Sequence, residues 1–298
     1  MMKSSIDVVV VVPIGPTCKT EFVLDTLSSV QHYIHSSHKI IIADDAQNPD
    51  QRQQIQAQFP DVIIHQNKKN LGKALGLYTS LSRAYSYALD HFNFSALLRL
   101  DSDALVIGHA PELAIIEYFK NNPTVGLAGR YAMGIRSLDE FGNVWPVGGR
   151  QNIAALVKMF TRFYSRHPIT YWRIRQLVFK AIDNGYELGE MIFGGSYAFS
   201  RIGLEKLRDN GLLPMKNVVG TELDEDHVFS IMTYSVGLHL GNLAVGNLPF
   251  ALTWRGLPAS PQTLVDADKK IIHSTRFWKE MKETEIRQFF KDKRLAKT

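Results

Sequence analysis

Asp101-Ser102-Asp103 sets two carboxylates one residue apart, directly after the apolar stretch Leu97-Leu98-Arg99-Leu100. When a chain leaves a sheet, acids at that spacing turn toward one point. Hard divalent cations such as Mg2+ and Mn2+ take oxygen ligands of this kind and share them with substrate phosphates. A cation held there would neutralise a diphosphate and stabilise it as a leaving group; a turn or helix cap is the plainer account. Asp44-Asp45 closes a second apolar run. A carboxylate at that point can accept from a base N–H or from ribose hydroxyls, and buried strand ends rarely carry two acids without a partner; a simple turn is the alternative. Asn70-Leu71-Gly72-Lys73 reads as the opening of a helix. Asn70 is a good cap, and a helix N-terminus with Lys73 beside it suits an anionic phosphate, although a capped helix needs no ligand. Gly194-Gly195 allows close approach of a substrate to the backbone or marks a β-bulge. Glu222-Leu223-Asp224-Glu225-Asp226 packs four acids into five positions ahead of an apolar helix, where acids also favour the helix dipole.

The elements that must position these groups alternate through the first half. Residues 7–12 and 39–43 are β-branched runs, the pattern of strands buried on both faces of a mostly parallel sheet. Residues 62–65 and 96–100 read as further strands. Helices are expected over 21–35, 49–59 and 70–89, and Pro13 is expected to end the first strand. This β-α-β-α-β order implies a parallel sheet with right-handed crossovers. Pro13, Asp44, Asp45, Asn70, Asp101 and Asp103 then fall at the carboxyl edge, where open α/β sheets bind ligands. The second half is less regular. Helices are expected over 111–119 and 225–236 and strands over 125–130, 193–200 and 271–272. A strand with a turn, or a strand pair, is expected over 238–245. A basic helical region over 153–182 is broken at His167-Pro168, and the charged tail 275–297 reads as helix.

Composition bounds the rest. Cys18 is the only cysteine, so no intrachain disulfide forms and a reducing compartment is favoured. The apolar run at 8–14 is broken by Pro13 and Gly15, too short for a bilayer span and without the pattern of a signal peptide. A cytoplasmic location is expected. Net charge is +5, yet residues 141–182 hold no Asp or Glu and carry Arg150, Lys158, Arg162, Arg166, Arg173, Arg175 and Lys180. That segment suits a polyanion, an acidic substrate or an anionic membrane surface, or is a solvated face whose acidic partners lie elsewhere.

Val-Val-Val-Pro at 10–13, Ile-Ile-Ala-Asp-Asp at 41–45, Asn-Leu-Gly-Lys-Ala-Leu at 70–75 and Leu-Arg-Leu-Asp-Ser-Asp at 98–103 together resemble family 2 and related GT-A glycosyltransferases. The spacing between the blocks is similar too, and the likeness is strongest over residues 6–130. It implies an α/β fold of GT-A type with a mostly parallel central sheet flanked by helices. It also implies a nucleotide-diphosphate sugar as donor and Mn2+ or Mg2+ as cofactor. Pro13 and Asp44 or Asp45 would line the nucleoside pocket, Lys73 would approach from the side, and Asp101 and Asp103 would hold the metal and ribose-diphosphate. Gly194-Gly195 is similar to the family's segment near acceptor and donor sugar. Glu225-Asp226 resembles its Glu-Asp pair, which makes Asp226 the base for the acceptor hydroxyl, with Asp224 and Glu225 in reserve. Imidazole suits Mn2+, and some GT-A enzymes use a late His as a ligand, which points to His273. The chain departs from the family in carrying Ala46-Gln47 after the paired Asp, where Gly-Ser is common.

The organisation expected is a GT-A domain over 1–274 with a charged C-terminal helix over 275–298. Within the domain, 1–130 binds the nucleotide sugar and 131–274 forms the acceptor side with a basic helical insertion at 150–182. The expected activity is hexosyl transfer, inverting by resemblance, to a saccharide or lipid-linked acceptor. No nucleic-acid partner is expected, and peripheral membrane contact would run through 150–182. Trp254-Arg255-Gly256-Leu257-Pro258 has the composition of a loop that closes over a diphosphate. An inactive nucleotide-sugar binder and a sugar-phosphate nucleotidylyltransferase are the competing readings; the second normally opens with a Gly-rich, Arg-containing loop that Val12-Pro13-Ile14-Gly15-Pro16 lacks.

Overall fold

The computed structural model describes residues 3–132, 136–142, 144–146, 156–157, 168–215 and 223–296. A seven-stranded sheet forms the centre, in the order His239–Asn242, Val125–Ala132, Met191–Ser200, Ala96–Leu100, Val8–Ile14, His38–Asp44 and Ile63–Gln66. Only Met191–Ser200 runs antiparallel to its neighbours; the other adjacent strands pair in parallel. Val8–Ile14 and Ala96–Leu100 are buried at every residue, because helices cover both faces and leave no side of the strand wet. On one face, Val9, Val11, Ile41 and Leu97 pack among Tyr78, Leu81 and Tyr85 of helix Leu75–His91, with Phe229 of helix Glu225–Ser235. On the other, Val8, Val10, Ile42 and Leu98 pack with Val23, Leu27 and Val30 of helix Thr20–Tyr33.

A second, three-stranded sheet joins Phe250–Leu252, Ile271–His273 and Ala104–Val106. Over it lies helix Glu283–Leu295, whose Ile286 and Phe290 share a core with Leu105, Leu257 and Ile272. Ile271–His273 runs antiparallel to Ala104–Val106 with His273 opposite Ala104. That register carries a residue from near the chain's end to the turn after Leu100.

Some expectations are corrected. The first strand does not stop at Pro13 but pairs it with Ala43 and runs on to Ile14, since a proline without N–H costs nothing where no ladder bond is asked of it. No helix opens at Asn70: it begins at Leu75, with Ala74 before it at φ 51° and Gly72 at φ 79°, both outside helical backbone. The tail is not one helix either, because Phe277–Trp278 and Met281–Lys282 form a short antiparallel ladder before Glu283–Leu295. The basic region's described helix is Pro168–Asp183, as proline at a first helical position allows. Among the described residues no helix is long and apolar enough to cross a membrane.

Candidate active site

The turn between Ala96–Leu100 and Ala104–Val106 carries Asp101, Ser102 and Asp103. His273 meets it through the register just described: its Nε2 stands 3.2 Å from Asp103 Oδ1 and 3.8 Å from Asp101 Oδ2. One donor atom from each of these side chains lies within 4.8 Å of the others. His273 Nδ1 is 2.8 Å from the carbonyl oxygen of Thr253. A carbonyl only accepts, so Nδ1 carries the hydrogen and Nε2 is the nitrogen turned to the carboxylates, the usual second-shell arrangement of a histidine ligand. The two carboxylates fit Mn2+ or Mg2+ and the imidazole beside them favours Mn2+, the softer of the two; Asp101 is open enough on one side to leave room for a ligand. Asp103 Oδ2 accepts from Ser274 Oγ at 2.9 Å and Arg276 Nε at 2.7 Å. Burial works to raise the Asp103 pKa, but His273 beside it, then Arg276, hold it well below the usual carboxylate range. Burial raises Asp101 against the opposing charge of Arg99.

Met191–Ser200 brings the second acidic group to the same edge. Its pairing with Ala96–Leu100 sets Ser196 opposite Leu100, and the Asp101 N–H donates to the Gly195 carbonyl at 2.7 Å. The register against Val125–Ala132 shifts between Ile192 and Tyr197, so the paired glycines form a bulge. Each glycine makes room for a side chain of the site. A Cβ on Gly194 would stand 2.8 Å from Asp226 Oδ2, and one on Gly195, at φ 94°, would overlap the His273 ring. Gly194 N–H donates to Asp226 Oδ2 at 2.7 Å, and His227 N–H to Asp226 Oδ1 at 2.7 Å. Asp226 is buried; that burial, with Asp224 next to it, pushes its pKa up to about 7. Glu225 rises to about 8 for the same first reason. Asp224 stands immediately before the helix and is also raised by burial. Glu222 lies outside the described residues.

The groups read as nucleoside contacts form a second cluster at the edge. Asp44 has no exposed surface, and its carboxylate accepts from Arg52 Nη1 at 3.0 Å and Ala46 N–H at 2.8 Å. Asp45 accepts the N–H of Leu71 at 2.8 Å, that of Gly72 at 3.0 Å and Asn67 Nδ2 at 3.1 Å. Asn70 therefore caps no helix. Its Nδ2 donates to the Asp45 carbonyl at 2.7 Å, and amides expected to face a phosphate are spent on Asp45. Lys73 is exposed beside this loop, and Pro13 is buried in the strand between the two clusters.

Sequence reasoning passed over Arg99. It is 1% exposed, with Nη2 2.5 Å from Asp101 Oδ1 and 3.3 Å from Glu225 Oε1, and its guanidinium lies over the Tyr197 ring. The signal was present, since an arginine inside an otherwise apolar strand needs buried acids. Arg276, three residues past His273, was also missed. The loop containing Trp254 and Arg255 lies beside His273; Thr253 N–H donates to the His273 carbonyl at 2.7 Å and Leu257 N–H to that of Phe277 at 2.8 Å. Of the basic region, Arg150, Lys158, Arg162 and Arg166, with Phe160, Phe163, Tyr164 and His167, lie outside the described residues.

Residues 12–175, more than half of the chain, match the family model described as glycosyl transferase family 2. No curated protein matches the chain. Among solved structures it is similar to the mannosyltransferase PcManGT from Pyrobaculum calidifontis in complex with GDP-Man and Mn2+. That likeness has 16% identity and a TM-score of 0.43, over 80% of this chain and 55% of that one. The WbbM bifunctional glycosyltransferase, in its apo structure, is 11% identical with a TM-score of 0.49, over 100% of this chain and 50% of that one. TarS 1–349 from S. aureus is 14% identical with a TM-score of 0.42, over 80% and 58%. The chain spans between 50% and 58% of the length of these structures.

Proposed function

The chain belongs to glycosyl transferase family 2, and from that premise we propose that it moves a sugar, a hexose by resemblance, from a nucleotide-diphosphate sugar to an acceptor hydroxyl with inversion. The observation that carries this reading is the bulge at Gly194-Gly195, which fastens Asp226 through one glycine and packs the His273 ring on the other. Two acidic groups from distant parts of the sequence are thereby built into one edge.

Asp101, Asp103 and His273 would hold Mn2+ or Mg2+, which would supply positive charge to neutralise the diphosphate. Asp226 takes the proton of the acceptor hydroxyl as that oxygen attacks the anomeric carbon on the face opposite the diphosphate. A sugar hydroxyl is a poor nucleophile, so a positioned carboxylate with a pKa near neutrality suits the task. Two backbone N–H groups fix its orientation, and Asp224 and Glu225 stand next to it in reserve. Pro13, Asp44 or Asp45, Asn70 and Lys73 form the nucleoside and phosphate end. We read 1–274 as the transferase domain, carrying the nucleotide half at 1–130, and 275–298 as its C-terminal appendage. A lipid-linked acceptor and a peripheral position fit helix Pro168–Asp183, which exposes Ile169 and Trp172 in its first half and Phe179 beside Lys180 in its second.

Calorimetry with UDP, GDP, CDP and dTDP, each with and without Mn2+, tests the reading. Metal-dependent binding of one nucleotide supports it and names the base for a screen of donor sugars. A folded protein that binds none of them overturns it.

A further inference from the structure

Resting on the reading of Asp101, Asp103 and His273 as metal ligands, we propose that Arg287 of the C-terminal helix is a positioning residue for the metal-binding turn, acting through the carbonyl of Ser102. Arg287 is 4% exposed, and its Nη2 donates to that carbonyl at 2.6 Å. The other donors are committed around it: Nη1 to Asp25 Oδ2 at 2.9 Å and to the Phe22 carbonyl at 3.2 Å, and Nε to Glu283 Oε1 at 3.0 Å. The Phe22 ring lies under the guanidinium at 4.7 Å. A planar fork held on every side has one place to aim its remaining nitrogen.

The next carbonyl of the turn is held from the same segment. Thr275 donates its N–H to the Asp103 carbonyl at 2.9 Å and its Oγ1 to the same oxygen at 3.0 Å. Thr275 Oγ1 is also 3.1 Å from Glu283 Oε1, the atom that Arg287 Nε reaches. The peptide groups on either side of Asp103 are thus tied to one Arg287–Glu283–Thr275 chain. The Thr26 hydroxyl shares its one hydrogen between the carbonyls of Ala104, at 2.9 Å, and Ser102, at 3.1 Å. With the peptide planes on both sides of Asp103 held, the backbone presents that side chain to His273 from a fixed direction. The tail, which reads from sequence as a charged appendage, is by this argument part of the site.

The test measures Mn2+ alone by calorimetry, and the donor KM against kcat, in the full chain carrying Arg287→Lys. Lysine keeps the charge beside Asp25 and Glu283 but lacks the fork. Loss of an outer-shell partner costs about 10–100-fold in metal affinity, and a loss in that range, a raised donor KM and an unchanged melting temperature are expected. Thr26→Val loosens the same carbonyl without removing a charge, giving up of the Arg287 bonds only the long 3.4 Å one from Nη1, and keeps the question open to test if the lysine variant does not fold. It should weaken Mn2+ in the same direction, and the double variant should lose less than the product of the two losses. Folded variants that bind Mn2+ as the parent does, while Asp103→Asn does not bind it, overturn the role of Arg287 and leave the metal site standing. A parent that binds no Mn2+ overturns both.

Discussion

The Arg99 guanidinium joins Asp101, 2.5 Å from its Nη2, to Glu225, 3.3 Å from the same nitrogen. One acid follows a central strand and the other opens a helix more than a hundred residues later, so this buried cation ties the metal turn to the helix that carries Asp226. Removing one partner of a fully buried ion pair costs about 3–5 kcal/mol, and the open side of Asp101 lets water recover part of that here, which makes the low end of the range the upper bound. Arg99→Met should destabilise by about 1–3 kcal/mol, read as a fall in urea midpoint with unchanged slope. The loss should deepen as pH rises toward 8, where Glu225 ionises, and adding Glu225→Gln should recover part of it there. A lone Arg99→Met variant as stable as the parent would remove Arg99 from this role.

Asp226→Asn should lower kcat by about 10²–10⁴-fold, the usual contribution of a positioned base, with donor and Mn2+ affinity preserved. A base pushed up to about 7 is protonated in mild acid, so kcat/KM should fall as pH drops through that value. Stability should follow the opposite course. The fold holds the Glu225 and Asp226 protons more tightly than the unfolded chain, where they titrate near 4.5 and 3.8. Their contribution is therefore fully present below about pH 4 and is lost as pH rises through about 7 and 8. Urea midpoints from pH 5 to 8 should decline less in Asp226→Asn than in the parent, and an identical decline would contradict the shift.

Gly195→Ala should weaken Mn2+ binding although residue 195 is no ligand. The added methyl overlaps His273, and the backbone at φ 94° disfavours any L side chain. Gly194→Ala should spare Mn2+ and lower kcat, since its methyl presses on Asp226. Calorimetry with Mn2+ and steady-state kinetics separate the two, and equal effects on both readouts in both variants would count against the division.

Much of this edge was legible before the fold was known, because the residues that end parallel strands are fixed by local pattern. Asp44 and Asp101 sit at the ends of β-branched or leucine-rich runs whose burial needs no tertiary information. His273 was legible only as a candidate, for its place opposite Ala104 depends on an antiparallel pairing across more than 160 residues. The reach of Arg287 to the turn was invisible: its partner there is the Ser102 carbonyl, and a backbone group leaves no mark on sequence. The misread helix start at Asn70 has a similar cause, since capping rules weigh neighbours in the chain while Asp45 takes the Leu71 and Gly72 amides from another loop.

That clamp makes the role of Asp45 separable from a direct contact with the nucleotide base. Its carboxylate accepts three protein donors, so Asp45→Ala releases the Asn70–Gly72 loop and leaves Asn67 Nδ2 with only Ser80 Oγ. Charge-assisted hydrogen bonds of this kind are worth about 1.5–3 kcal/mol each when made, with part of that recovered by solvent at a partly open loop. A fall in stability of about 1–3 kcal/mol is expected, along with weaker nucleotide binding. A residue that reads the base changes the ranking of UDP, GDP, CDP and dTDP, because only the preferred base loses a matched partner. A residue that shapes the loop weakens all of them by a similar factor, because every nucleotide meets the same displaced backbone. The bonds on Asp45 predict the uniform loss, and a variant that reorders the nucleotides while keeping the parent's stability would assign Asp45 to the base instead.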